Sequence, residues 1–252
     1  MLHSSFMEGK EIFSLQHPLV KHCVKLREDH SYRNACKKVV ISGKKLVSEV
    51  ASYQPVHTLF IEKGKELPLT PAADHCIYVS REVLKKITGV QNPEPLAAEV
   101  AMPPMSDLSS CRYLLILDGL SDPGNLGTLF RSAYCLGWEG VFVTENSVDP
   151  WNEKAIRAAK GATFTLPWKR SSYEELKGQK RHLFTADAKG KDLSTLSFQP
   201  PLALVLGNEA HGAGSALKKL STLVAIPMEK EIESLNVASA GAILLYQIKR
   251  RF

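Results

Sequence analysis

Nothing in the 252-residue chain runs apolar for about 18 residues, the length a membrane-crossing helix needs. The first residues, MLHSSFMEGKEIFSLQHP, carry neither a long apolar core nor a small-residue cleavage site of the kind an export signal uses. Paired cysteines are also missing. The five, Cys23, Cys36, Cys76, Cys111 and Cys135, are odd in number and never form C-x-x-C, so neither a disulfide frame nor a zinc site is expected. No repeat of fixed period and no low-complexity tract occurs, which argues against solenoids and disordered tails. These absences point to a soluble protein of a reducing compartment, the cytoplasm.

At 44% hydrophobic and 23% charged residues, a chain of this length can bury one large core or two modest ones. Its formal charge of +6 favours a polyanionic partner. That charge is concentrated: between Leu19 and Leu46 lie Lys21, Lys25, Arg27, Arg33, Lys37, Lys38, Lys44 and Lys45, against only Glu28 and Asp29. A phosphate-contacting face and an ordinary solvated helix pair explain this run equally well.

Short apolar runs at Val56–Ile61 and Cys76–Val79, interleaved with helical patterns at Lys44–Ala51 and Arg81–Ile87, predict a small α/β unit ending near Met102. The proline- and serine-rich stretch from Met102 to Ser110 reads as a linker, placed at about residues 102–112. Beyond it, buried strands are expected at Tyr113–Leu117, Gly140–Thr144, His182–Ala186, Leu202–Leu206 and Leu223–Ile226. Helices such as Thr128–Leu136 and Trp151–Ala159 fall between them. Alternating strands and helices imply a largely parallel sheet.

Three segments carry candidate chemistry. Asp118-Gly-Leu-Ser-Asp-Pro-Gly-Asn-Leu-Gly-Thr-Leu-Phe-Arg-Ser132 leaves a strand, turns through Pro123 and Gly124, and enters a helix bearing Asn125 and Arg131. It matches neither G-x-G-x-x-G nor G-x-x-x-x-G-K-[ST], which disfavours a nicotinamide dehydrogenase or a phosphate loop. Leu202-Ala-Leu-Val-Leu-Gly-Asn-Glu-Ala-His-Gly212 is an apolar strand stopping at a polar loop with Glu209, where open α/β sheets bind ligands. Ala225–Tyr246 pairs a strand end with a loop and then an apolar helix. Taken singly, each has a plain reading: Arg131 as a surface cation, Glu209 as a helix-start anion, Ser234 and Asn236 as caps.

In this order the three segments resemble the SpoU, or TrmH, branch of the SPOUT RNA methyltransferases, whose motifs read DPGN-x-G-x-x-x-R, L-x-x-GNE-x-x-G and IPM…SLNV-x-x-A. Two positions depart from the usual pattern. Ala159 stands where R-x-S-x-G-A often has serine, and Ser42-Gly43 where an E-G pair often precedes the first unit's helix.

The resemblance implies an α/β fold with a C-terminal parallel-sheet domain containing a deep trefoil knot, over residues 113–252. A small L30e/L7Ae-like α/β RNA-binding domain over residues 1–104 would precede it, recruiting RNA through the eight basic residues named above. It also implies S-adenosylmethionine as cofactor and no metal. The carried-over cofactor positions are Leu206, Gly207, Asn208, Gly212, Ile226, Met228, Leu235 and Asn236. Catalytic positions are Arg131, Asn125, Glu209, Ser234 and Asn236.

In the family, the arginine matching Arg131 has been proposed as general base. A guanidinium stays protonated in proteins, so Arg131 is expected instead to bind the target phosphate and lower the 2′-hydroxyl pKa. Relatives form homodimers through the knotted domain, a role open to the apolar segment Val237–Ile248. The expected reaction is methylation of a ribose 2′-hydroxyl in 23S ribosomal RNA. A transfer RNA substrate, or a non-catalytic RNA-binding protein on the same fold, are the alternatives.

Overall fold

The computed structural model describes residues 10–65, 71–176, 180–229 and 235–251. Between Pro103 and Pro104 the chain divides into two compact units.

In the first unit the elements follow as β1 (Lys10–Ile12), α1 (Pro18–Glu28), α2 (His30–Cys36), β2 (Lys38–Ser42), α3 (Lys44–Ala51), β3 (Val56–Glu62), β4 (His75–Val79), α4 (Arg81–Thr88) and β5 (Leu96–Ala101). The five strands form one sheet in the order β1-β4-β3-β5-β2, parallel from β1 to β3 and antiparallel from there to β2. Helix starts are set by side chains: His17 Nδ1 accepts from Leu19 N just before Pro18, Asp29 caps α2, and Ser80 caps α4. Val20, Cys23 and Leu26 of α1 pack with Val83, Leu84 and Ile87 of α4 over Phe60 and Ile77 of the sheet.

The basic run does not form a uniform solvated face. Lys21, Lys25, Lys37, Lys44 and Lys45 are exposed, and Arg27 is half-buried beside Glu28. Arg33 is only 3% exposed, its guanidinium donating to the carbonyls of Leu26 and Arg27 at 2.6 and 3.1 Å. Lys38 Nζ lies 2.6 Å from the buried Glu99 carboxylate, which His22 Nε2 also approaches at 3.3 Å. Arg33 therefore ties α2 back onto the end of α1, and Lys38 neutralises an acid inside the sheet; the expectation that both face phosphates is corrected.

The second unit runs β6 (Tyr113–Asp118), α5 (Pro123–Cys135), β7 (Gly140–Thr144), α6 (Glu153–Ala159), α7 (Ala162–Thr165), β8 (Trp168–Ser171), β9 (His182–Asp192), β10 (Leu202–Gly207), α8 (Ser215–Leu220), β11 (Thr222–Ala225) and α9 (Val237–Lys249). Its six strands are all parallel, in the order β11-β9-β10-β6-β7-β8. The continuous apolar runs of β6 and β10 belong to strands covered on both faces: every residue of each is buried.

Three differences from the sequence reading have physical causes. Helix α5 begins at Pro123, because the proline sits in the first turn and Asp122 Oδ1 accepts from Asn125 N at 2.7 Å. Strand β9 continues to Asp192, because the β11 register steps from Leu223–Thr185 to Val224–Lys191. Gly190 allows that step, since a Cβ there would lie 2.6 Å from the Val224 backbone. The stretch read as a linker is partly built into the second unit. Leu108 and Cys111 are buried in its core, and Arg181 donates to their carbonyls at 3.2 and 2.8 Å.

Helix α9 buries Ala238, Gly241, Leu244, Leu245 and Ile248. A Cβ on Gly241 would come 2.3 Å from Leu129 of α5 and 2.6 Å from Leu206 of β10, so the glycine sets how closely the helix sits. Trp138 Nε1 locks the far end by donating to Leu245 O at 3.2 Å.

Candidate active site

The three polar segments that follow β6, β10 and β11 meet through one hydrogen-bonded chain. Asn236 uses its side-chain oxygen to cap α9, accepting from Ala238 N and Ser239 N at 2.9 and 3.2 Å. Its Nδ2 donates to Asn125 Oδ1 at 3.1 Å, and Asn125 Nδ2 donates in turn to Glu209 Oε1 at 3.0 Å. The other Glu209 oxygen accepts from both the backbone N and the hydroxyl of Ser121. Burial works against the Glu209 charge, but the donors from Asn125 and Ser121 outweigh it and hold the carboxyl down at about 2. At neutral pH Glu209 is therefore a fixed anion that clamps the loop after β10 to the start of α5.

Neighbouring Asn208 fastens the same loop from the other side. Its Nδ2 donates to Gly119 O at 2.8 Å, and its Oδ1 accepts from Ala210 N and His211 N. Asn208 and Gly212 exchange both backbone hydrogen bonds, at 3.0 and 2.9 Å. This closes a tight turn with Gly212 in the left-handed region at φ +69°. Within it Gly207 has no room for a side chain, because a Cβ would lie 2.0 Å from Ala213 N.

Beside this turn, at the ends of β10 and β11 and against the middle of β9, opens a cavity of about 630 Å³. Leu206, Gly207, Asn208 and Gly212 wall it from the β10 side; Ile226, Met228, Leu235 and Asn236 wall it from the segments after β11. All eight positions carried over for the cofactor thus border one cavity. The mixture suits a ligand with an apolar body and a few polar ends, with main chain close enough at Gly207 for backbone hydrogen bonds.

Of the five catalytic candidates, Asn125, Glu209 and Asn236 form the chain described above. Arg131 does not join them: it lies on the exposed face of α5, outside the wall of this cavity. Ser234 lies outside the described residues. Sequence reasoning missed Asp187 and Lys218, which border the cavity as an ion pair at 2.7 Å. Asp187 follows an apolar strand segment just as Glu209 does, so the strand-edge argument applied to Glu209 would have found it.

It missed a second polar cluster as well. Asp118, only 2% exposed, accepts from Gly214 N at 2.7 Å, from Thr144 Oγ1 at 3.3 Å and from the Tyr173 hydroxyl. Burial, then the hydrogen bond and charge of Asp118, push the Tyr173 hydroxyl up to about 12. Among the described residues, no group of three or more His, Cys, Asp or Glu side chains is placed to hold a metal, and no helix is long and apolar enough to cross a membrane.

Residues 112–246 match the profile of the SpoU rRNA Methylase family. The chain belongs to that family. Residues 17–98 separately match an MRM3-like substrate binding domain. The chain is 31% identical to the Bacillus subtilis 23S rRNA (guanosine(2553)-2′-O)-methyltransferase RlmP, across 95% of this chain and 99% of the relative. It is 33% identical to an uncharacterized tRNA/rRNA methyltransferase of Synechocystis, across 95% and 93%. Among solved structures, the AdoMet-bound rRNA methyltransferase of Sinorhizobium meliloti superposes with a TM-score of 0.84 at 25% identity, covering 96% of this chain and 98% of that one.

Proposed function

We propose that this SpoU-family chain transfers a methyl group from S-adenosylmethionine to a ribose 2′-hydroxyl of RNA, and that its substrate is 23S ribosomal RNA. The observation that carries this reading is the meeting of the second and third family segments on one cavity, with the first segment tied to both through the hydrogen bonds of Asn125 to Asn236 and Glu209. Similarity to a 23S rRNA 2′-O-methyltransferase over 95% of this chain and 99% of that relative supports the substrate.

When bound, S-adenosylmethionine supplies an electrophilic methyl group on a sulfonium. Leu206, Ile226, Met228 and Leu235 would enclose its apolar parts, and the backbone at Gly207 would approach it directly. Asn125 and Asn236 present amides that orient the ribose; Glu209 holds Asn125 in place, and Asn125 holds Asn236. At about 2, the Glu209 carboxyl is too weak a base to take the 2′-proton near neutrality. Arg131, a permanent cation, binds the adjacent phosphate and lowers the hydroxyl pKa electrostatically.

The exposed position of Arg131 fits a site completed by a second copy. Tyr134 lies one turn further along α5 at 49% exposure, and α9 exposes Ile243 and Tyr246 at 40% and 45%. We assign this apolar face to a homodimer, and the C-terminal domain to the family's trefoil knot. The first unit is read as an L30e/L7Ae-like domain that recruits RNA through Lys21, Lys25, Lys37, Lys44 and Lys45, all exposed. We assign the protein to the cytoplasm, a reading with which a 23S ribosomal RNA substrate is consistent.

Labelled donor incubated with unmethylated ribosomal RNA and, separately, transfer RNA tests the reading. The expected product is label in ribosomal RNA at an alkali-resistant linkage; label only in transfer RNA would move the substrate, and no cofactor binding at all would favour the non-catalytic reading.

A further inference from the structure

A second cavity, of about 540 Å³, opens at the ends of β6, β7 and β10, on the other side of the turn that walls the first. Asn208, His211, Gly212 and Lys218 border both. The sheet order places it where the strand sequence reverses: from β6 the chain lays β7 and β8 on one side and β9, β10 and β11 on the other. Parallel α/β sheets bind ligands at such a point, yet nothing in the methyl-transfer reading uses it.

Its lining favours one ligand chemistry. Asp118 supplies a buried carboxylate, Tyr173 a hydroxyl, and Asn146 an amide whose oxygen accepts from Thr144 at 2.5 Å. Lys218, the cation at its edge, is paired with Asp187, and an anionic group would face the Asp118 charge. Phosphate is therefore disfavoured, while the mixed donors and acceptors suit the polar edge of a neutral heterocycle.

The backbone leaves room for a flat ring. Gly119, Gly212 and Gly214 all border the cavity, and their missing Cβ atoms would meet Asn146 Nδ2 at 3.0 Å, Lys218 Nζ at 3.3 Å, and Asp118 Oδ2 and the Tyr173 hydroxyl at 3.4 Å.

We propose that this cavity is a nucleobase subsite, taking one unstacked base of the RNA substrate beside the methylated ribose. The proposal rests on the RNA-methyltransferase reading. Proteins commonly read RNA through such splayed-out bases, by hydrogen bonds to their Watson–Crick edge.

Gly214→Ala separates the possibilities. Its backbone needs no left-handed conformation and its added Cβ makes ordinary contacts, so the fold and the amide donating to Asp118 are retained while the cavity narrows. The expected result is a KM for ribosomal RNA raised about tenfold, the scale of one or two lost hydrogen bonds, with S-adenosylmethionine affinity unchanged in calorimetry. An unchanged KM overturns the proposal.

An assay without catalysis uses the four free ribonucleosides, added to full-length protein saturated with S-adenosylhomocysteine. At least one should shift the amide resonances of Gly119, Gly212 and Gly214, and Gly214→Ala should abolish that shift. No shift from any nucleoside, or an equal shift in the variant, overturns the subsite. If wild-type protein methylates no RNA but the nucleoside shift is present, the subsite stands and the methyltransferase reading fails.

Discussion

Asn236 Nδ2 lies 3.1 Å from Asn125 Oδ1, across 111 residues of chain. Each residue has a local task as well: Asn236 caps α9, and Asn125 N receives the Asp122 cap of α5. The contact makes two helix starts into one rigid edge of the site. Replacing Asn236 with alanine should remove a cap and the cross-link together. The expected loss is about 1 kcal/mol of stability from the cap, read as a fall in Tm of roughly 2–4 °C. A double-mutant cycle with Asn125→Ala should show non-additive loss of methyl transfer; strict additivity would mean the two side chains act separately.

Glu209 gives a pH prediction. Its carboxyl is held at about 2 in the folded protein against 4.5 ordinarily. The stability it contributes is therefore complete above about 4.5 and lost as the pH falls through 2. Relative to Glu209→Gln, the wild-type protein should be more stable at neutral pH, and the difference should shrink only below pH 4.5. Thermal melts of both proteins between pH 2 and pH 7 measure it; a difference independent of pH would show that the charge does not carry the clamp.

At Gly207 a Cβ would have to displace the Ala213 backbone, 2.0 Å away. Gly207→Ala should therefore distort the turn bordering the proposed cofactor cavity, costing about 1–3 kcal/mol and weakening S-adenosylmethionine at least tenfold. Calorimetric titration of the donor checks this, and unimpaired binding would remove Gly207 from the cofactor site.

The basic residues of the first unit should separate into two kinds. Arg33→Ala leaves the Leu26 and Arg27 carbonyls without their donor and should destabilise by roughly 1–3 kcal/mol. Replacing exposed Lys44 and Lys45 should leave stability intact and flatten the salt dependence of RNA binding by about one unit of slope per lost phosphate contact. Filter binding across a salt series, alongside denaturant melts, tells them apart.

That division explains what could be read in the chain. The cavity beside β10 and β11 was legible because its walls are short polar segments at the ends of apolar strands, and Leu206, Gly207 and Asn236 lie within them. The strand Lys38–Ser42 was not, because lysines at its start and just beyond its end disguise it as part of a basic field. Leu96–Ala101 was hidden by Glu99, a buried acid whose partners His22 and Lys38 come from other elements. A charge count cannot distinguish Arg33 from Lys37, since only the return of α2 onto α1 buries the one and exposes the other. The Asp118 cluster was invisible for the same reason: Thr144, Tyr173 and Gly214 join it only once the sheet has formed.

The most direct test of the central claim is to treat unmethylated 23S ribosomal RNA with the protein and isotopically labelled S-adenosylmethionine, digest the RNA to nucleosides, and locate the label by mass spectrometry. The account predicts a labelled methyl group on the ribose fragment with wild-type protein, and its near-complete loss with Arg131→Ala at undiminished donor binding. A label on the base fragment, or an Arg131→Ala variant that methylates at the wild-type rate, would contradict it.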